Sequence, residues 1–325
     1  MKRTTLLGLA GLAALATLLL AAAATARPTA PAQRRLTTVN VQDVAGIPYD
    51  YLRLGVYQGF FRKRGLDVKV QAAAGGAVIV PAIINGSIQF GGSNVVSSML
   101  AKSRGLPIKM IAPGTHAGGS LRKPDWAGVV VKRGSSIRTA QDLEGKTIAT
   151  NTLRNVTEVT VKATVEKRGV DVSKLKWLEV DFPQMHDAVA ADRVDAALII
   201  EPFFYEAKKA GDRVIVHPYV GTRPGMQIGS YLAHEDYIKD HPDIVRSFQL
   251  ALADLSRWIA RHPVATRKFL IAAAKLKRDT ALHMALPVWR TEVNAAGLAK
   301  TMDLMVKYGV LARPIDVNDL IYRRR

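Results

Sequence analysis

Glu201 stands at the end of an apolar run, Val194-Asp195-Ala196-Ala197-Leu198-Ile199-Ile200, and directly before Pro202. The run has the length and branching of a buried strand. Pro202 cannot continue a ladder but suits the first turn of a helix, so a helix is expected from about Phe203. A carboxylate at that junction lies where open α/β sheets receive ligands, outside the carboxyl ends of their strands. There it could accept a hydrogen bond from an amine or a ring N–H, and it would repel a small anion. Motifs for covalent or metal chemistry do not complete themselves. Gly145-Lys146-Thr147 resembles the end of a phosphate loop, but Ala140 stands where its first glycine must be. His234-Glu235 begins a zinc-protease motif, and Ile238 occupies the place of the second histidine. Gly91-Gly92-Ser93-Asn94-Val95 lacks the closing glycine of a nucleophile elbow. The seven histidines are scattered, with no i,i+4 pair, and there is no cysteine. No catalytic residue, metal site or cofactor is therefore expected.

The elements that would position such a site alternate along the chain. Thr37–Val44 alternates apolar and polar residues as a first strand, and a helix through Tyr51, Leu54, Val56 and Phe60 closes at Gly65. Leu66–Val70 is a second strand, and Gly75-Gly76 open a helix that runs to about Gly86. Ile88–Phe90 is a short strand, Gly91–Asn94 open the next helix, and Ile108–Pro113 is a further strand. This βαβαβαβ order is the doubly wound α/β pattern. Strands are expected again at 126–131, 147–150, 175–180, 194–200, 213–217 and 226–233, with a helix over 155–168. Beyond His234 the chain reads as helical, over 242–261, 263–275, 279–285 and 291–308. Two α/β lobes around a cleft follow, with a helical C-terminal part. Residues 37–115 and 222–325 are assigned to lobe 1 and 116–221 to lobe 2. Thr115–Gly119 and Gly221–Gly225 are the expected crossovers, where glycine allows the backbone change of a hinge.

Residues 1–26 carry the features of an export signal: Lys2 and Arg3, an apolar run from Leu6 to Ala24, and Ala24-Thr25-Ala26 as a cleavage site. Residues 27–36 read as a disordered leader. With no cysteine after the signal, a lipid anchor is not expected, and the mature chain should diffuse freely in a periplasm. The formal charge is +19, a balance that attracts anions. Basic residues are nevertheless scattered, and aromatic residues make up only 6% of the chain, so no basic stripe interleaved with stacking side chains exists and nucleic acid is not an expected partner.

A set of segments along nearly the whole mature length carries a resemblance. They are Gly59-Phe60-Phe61 with Gly65-Leu66-Asp67-Val68, Gly75-Gly76, Asn85-Gly86-Ser87-Ile88-Gln89-Phe90-Gly91, Asp142-Leu143-Glu144-Gly145-Lys146-Thr147-Ile148-Ala149, Arg193-Val194-Asp195-Ala196-Ala197, Glu201-Pro202-Phe203, His241-Pro242-Asp243-Ile244-Val245 and Tyr308-Gly309-Val310-Leu311. In this order and spacing the chain resembles the periplasmic solute-binding proteins of ABC importers, in the group that takes nitrate, sulfonate, taurine or the thiamine pyrimidine precursor. Asp192 and Ile200 depart from the Gly and Trp usual in that group, so an aromatic wall for a flat ring is less evident. The resemblance implies a type II periplasmic-binding fold, two lobes joined by two crossovers, and closure on a ligand. It places the ligand at the strand-to-helix turns: Gly46, Pro48 and Tyr49, Gly75 and Gly76, Ser93 and Asn94, and Thr115 at the crossover in lobe 1, and Thr152, Asn155, Val156, Thr157 and Glu201 in lobe 2. Helix N-termini there offer unpaired N–H groups and partial positive charge for an anion, while Ser, Thr and Asn would also serve as ordinary caps. The implied partners are a small-molecule solute, an ABC permease and its ATPase, with the protein acting as a monomer. The rival is an enzyme of the pyrimidine-precursor synthase type on the same fold, which the export signal and the absence of cysteine disfavour.

Overall fold

Strands with apolar faces, several of them followed by glycine or asparagine at the turn into a helix, build two sheets. The computed structural model describes residues 35–122 and 125–323, so the expected export signal and most of the leader lie outside the described residues. The first sheet holds β1 (Thr37–Val44), β2 (Leu66–Ala73), β3 (Phe90–Asn94), β4 (Ile108–Pro113) and β11 (Gly229–His234) in the order β2-β1-β3-β11-β4. The second holds β6 (Ala127–Val131), β7 (Thr147–Thr150), β8 (Lys176–Glu179), β9 (Ala196–Ile200) and β10 (Arg213–Val216) in the order β10-β6-β9-β7-β8. β1, β2 and β3 are parallel, as are β7, β8 and β9. In each sheet the first strand laid down after a crossover, β6 or β11, runs antiparallel to its neighbours. Each lobe thus completes its sheet with chain that has just come from the other.

Helices leave the carboxyl ends of the parallel strands. They are α1 (Ile47–Tyr57), α2 (Gly76–Ile84) and α3 (Val95–Ser103) in lobe 1, and α4 (Val156–Glu166), α5 (Met185–Ala190) and α6 (Phe203–Ala210) in lobe 2. α7 (Pro218–Thr222) follows β10, and α8 (Glu235–Asp240) follows β11. The C-terminal part supplies α9 (Pro242–Arg261), α10 (Pro263–Ala272), α11 (Arg278–His283), α12 (Ala295–Lys307) and α13 (Val317–Leu320). α9 is amphipathic by design of its sequence: Val245, Phe248, Ala251, Leu252, Leu255 and Ile259 recur at helical spacing and are buried against the first sheet.

Two expectations shift. The segment Gly91–Asn94, read above as the opening of a helix, is strand; β3 extends to Asn94 and the helix starts at Val95. The glycines are there for closeness, since a Cβ at Gly91 would meet Ile79 at 2.4 Å. The C-terminal part is also not wholly helical. β12 (Val288–Trp289) pairs with β5 (Thr115–His116) at the first crossover.

An aromatic column fills lobe 1. Phe248 stacks on Phe90 with ring centres 4.1 Å apart and on Phe61 at 5.4 Å, and its edge meets Tyr231 at 5.9 Å. Tyr51 continues the column between Tyr231 and Trp289. Phe248→Ala should therefore cost about 3–5 kcal/mol and lower the urea midpoint sharply, whereas Val264→Ala, at a side chain 67% exposed, should stay within about 0.5 kcal/mol of the parent. Urea denaturation followed by circular dichroism checks both.

Candidate functional site

The carboxyl edges of the two sheets meet across a cleft, and the chain is closed over it. Ile47 donates its N–H to the Glu201 carbonyl at 3.0 Å, and Asn151 donates its side-chain amide to the Ala74 carbonyl at 2.8 Å. Gly46 has φ 112°, and a Cβ there would stand 2.9 Å from the Glu201 carbonyl oxygen; both the dihedral and the contact call for glycine. At the rims, Lys307 and Tyr308 engage Glu166, and Lys209 and Lys277 pair with Asp279 and Glu206. Exposed pairs of this kind are individually weak, so these rims resist opening only slightly.

Between the lobes lies a cavity of about 50 Å³, room for about four water-sized groups. Lobe 1 and the crossovers contribute Asp43, Pro48, Gly92, Ser93, Asn94, Thr115, Ser230 and Tyr231 to its wall; lobe 2 contributes Trp126, Asn151, Val156, Phe182, Ile200 and Tyr219. Two helix N-termini reach the wall. Asn94 caps α3 by accepting the Ser97 N–H at 2.9 Å, and Asn155 caps α4 by accepting the Thr157 N–H at 2.8 Å, which leaves Val156 at the cavity surface. These ends supply partial positive charge without a formal cation. Among the described residues, no lysine, arginine or histidine lines the cavity.

Asp43 is the ionisable carboxylate in that wall. It is buried at the end of β1, accepts the Val44 N–H on Oδ1 at 2.7 Å and accepts the Tyr231 hydroxyl on Oδ2 at 2.9 Å. A Cβ at Gly92 would lie 2.1 Å from Oδ1, so glycine on the neighbouring strand makes the space this carboxyl occupies. Burial pushes its pKa up to about 7 against the two hydrogen bonds. Sequence reasoning missed Asp43. The signal was present: an acid at the last-but-one position of a parallel strand is at a ligand-binding edge, but the alternation of β1 reads as ordinary strand polarity.

The expected site residues separate into groups. Pro48, Ser93, Asn94, Thr115 and Val156 line the cavity. Gly46 and Gly75 instead allow the lobes to approach; a Cβ at Gly75 would meet Asn151 at 2.8 Å, and one at Gly76 would meet the Ser93 hydroxyl at 2.4 Å. Thr152 and Asn155 lie one layer behind, where the Asn155 amide donates to Asn151 at 2.7 Å and holds it toward the cleft. Thr157 is buried behind Val156 and beside Tyr219. Tyr49 is half-buried outside the cavity, with the Arg53 guanidinium 5.4 Å from its ring centre. Glu201 is fully buried, but its side chain turns away from the solute space. Its carboxylate accepts the Tyr205 N–H at 2.9 Å and the Ala285 N–H at 3.1 Å, joining α6 to the C-terminal part. Burial raises its pKa to about 7. Among the described residues that line the cavity, the carboxyl-bearing one is Asp43.

The crossovers lie side by side. Gly114 donates to Gly229, Ile228 to Thr115, Ala117 to Met226 and Gly225 to Gly118 through backbone hydrogen bonds of 2.8–2.9 Å. Asp125 accepts the Gly118 and Val220 N–H groups, one from each crossing, together with that of Trp126. Trp126 in turn donates its indole N–H to the His116 carbonyl at 2.9 Å. Among the described residues no cluster of three or more His, Asp or Glu could hold a metal ion, and no helix is long and apolar enough to cross a membrane.

Two mixed sheets joined by a paired crossover and closed over a shared cavity define the periplasmic-binding-protein fold. The chain belongs to the NMT1/THI5-like family, whose model matches residues 52–266. It is 23% identical over 195 residues to the taurine-binding periplasmic protein of Escherichia coli K12, a match covering 60% of this chain and 58% of that protein. Among solved structures it superposes on the alkanesulfonate-binding protein SsuA from Xanthomonas axonopodis pv. citri bound to MOPS, with a TM-score of 0.74, 17% identity and coverage of 89% and 99% of the two chains. It also superposes on the periplasmic nitrate-binding protein NrtA from Synechocystis PCC 6803, with a TM-score of 0.70, 12% identity and coverage of 87% and 84%. Such identities speak to the fold.

The buried acids set a pH dependence. Folding raises the pKa of Asp43 and Glu201 to about 7 and that of Asp50 to about 6. The folded state then binds more protons than the unfolded one, so this contribution is full below the ordinary carboxylate range and is lost as pH rises to about 7. Asp43→Asn has no proton to lose at this position. The melting temperature of the variant minus that of the parent should increase between pH 5 and pH 8; a constant difference across that window would contradict the assignment. Differential scanning calorimetry without ligand measures it.

Proposed function

We propose that the protein is the extracytoplasmic solute receptor of an ABC importer. It would act as a monomer, capture a small organic anion or zwitterion in the cavity between the lobes, and present it to a membrane permease powered by an ATPase. The observation that carries this reading is the cavity itself, whose wall is shared by both lobes and receives the N-termini of α3 and α4. A solute that touches both walls stabilises the closed form over the open one, which is what closure requires. Family membership and the taurine-, sulfonate- and nitrate-binding proteins among its relatives and fold neighbours support the same class of solute. The rival, an enzyme that makes a pyrimidine precursor on this fold, is less favoured because the relatives and fold neighbours are binding proteins of transport systems.

A thermal-shift screen of the purified protein against nitrate, bicarbonate, alkyl and aryl sulfonates, taurine, aromatic carboxylates and pyrimidines tests the reading. A ligand that binds only the folded state adds about 2.7 kcal/mol of stability at a hundredfold excess over Kd. One chemical class should produce a saturable rise in melting temperature without being consumed. No stabilisation by any class, or turnover of a stabilising compound, would count against it.

A further inference from the structure

We propose that Asp43 makes the cavity selective for solutes that carry a protonated amine, or an equivalent cationic donor, beside their anionic group, at the expense of plain oxyanions of similar size. The inference rests on the solute-receptor reading above and narrows it to a substrate class.

The charge inventory of the wall is lopsided. Among the described residues, Asp43 is the one carboxyl group in the wall, and no basic side chain there lines the cavity to neutralise it. A carboxylate offers about four acceptor directions, and two are taken, by the Val44 N–H and the Tyr231 hydroxyl. The remaining capacity belongs to a residue that is part of the cavity wall. An N–H-bearing cation can use it; once the carboxyl is ionised, above about pH 7, a sulfonate, nitrate or carboxylate oxygen is repelled by it. With an effective dielectric constant near 20 and a separation of about 5 Å, that repulsion weakens a plain anion on the order of a hundredfold.

The carboxyl is also built in rather than incidental. Gly92 leaves the space it fills. The tyrosine that donates to it is stacked on Tyr51 and held edge-on against Phe248, and the Tyr51 hydroxyl is itself fixed by the Leu252 carbonyl and Ser256. The two charges of a zwitterion would then be divided between the lobes. Asp43 of lobe 1 takes the amine, and the start of α4 with Asn151 in lobe 2 takes the acid. An anion can meet the starts of both α3 and α4, but only a solute that also carries a cation uses Asp43 as well.

Isothermal titration calorimetry at pH 8 with matched pairs, each amine protonated at that pH, tests this: taurine against ethanesulfonate, 3-aminopropanesulfonate against propanesulfonate, and β-alanine against propionate. Within each pair the amine replaces a hydrogen. The amine-bearing member of at least one pair should bind, and at least tenfold more tightly than its partner. Asp43→Asn, checked for folding by circular dichroism, should bring that ratio to within about threefold. Equal or tighter binding of the amine-free members by the parent protein would overturn the inference while leaving the receptor reading intact, as would an unchanged ratio in the folded variant. Binding by none of the six compounds would remove the solute class proposed for the receptor, and this inference with it. Should the variant not fold, the parent protein's pairs decide the matter alone.

Discussion

Backbone hydrogen bonds between residues 114–118 and 225–229 hold the two crossings side by side, and the rest of the molecule depends on them. Because the chain crosses twice, each lobe must complete its sheet with a strand returning from the other, and both do so with an antiparallel strand, β6 or β11. That topology turns the carboxyl edges of two sheets toward one cleft. Asp125 reinforces the pairing by accepting N–H groups from both crossings, and the same residue accepts the N–H of Trp126, whose ring forms part of the cavity wall. The crossings and the cavity wall are thus continuous in sequence and in hydrogen bonding.

Among the described residues, charge at the cavity is arranged without a basic side chain. Helix N-termini provide the positive end, as backbone dipoles fixed by the fold, and a buried carboxyl provides the negative end. Keeping Asp43 in place has a cost in desolvation, visible as its raised pKa. It is offset locally by two donors and by the aromatic column that positions one of them. The interactions across the rims are exposed ion pairs and a few backbone contacts, weak enough for opening, while those within each lobe are dry and aromatic.

Much of this was legible in the sequence, and the misses have physical causes. The alternation of Thr37–Val44 and the branched run before Glu201 identified strands of both sheets, because period-two patterning survives in any strand with one buried face. The turns that carry Ser93, Asn94 and Val156 were reached through the family resemblance and the rule that ligands meet helix starts, and Thr115 through its place at the first crossover; all four line the cavity. Glu201 misled because its place at a strand end looks the same whether its side chain enters the cleft or turns back to cap the next helix; Tyr205 and Ala285 decide that, and Ala285 lies 84 positions away. Asp43 was hidden for the converse reason. Its burial depends on Gly92 and Tyr231, neither of them local in sequence. Gly91 and Gly92 read as a helix opening because glycine marks turns more often than it marks close packing of a strand against a helix.

The central claim is that one solute is gripped by both lobes at the cavity. Hydrogen exchange read by mass spectrometry, with and without a saturating ligand, addresses it most directly. Slowed exchange should appear together around residues 92–95 and 228–231 in lobe 1 and around residues 151–157 in lobe 2, with the crossovers following. Protection confined to one lobe, or located away from the cavity, would contradict the account.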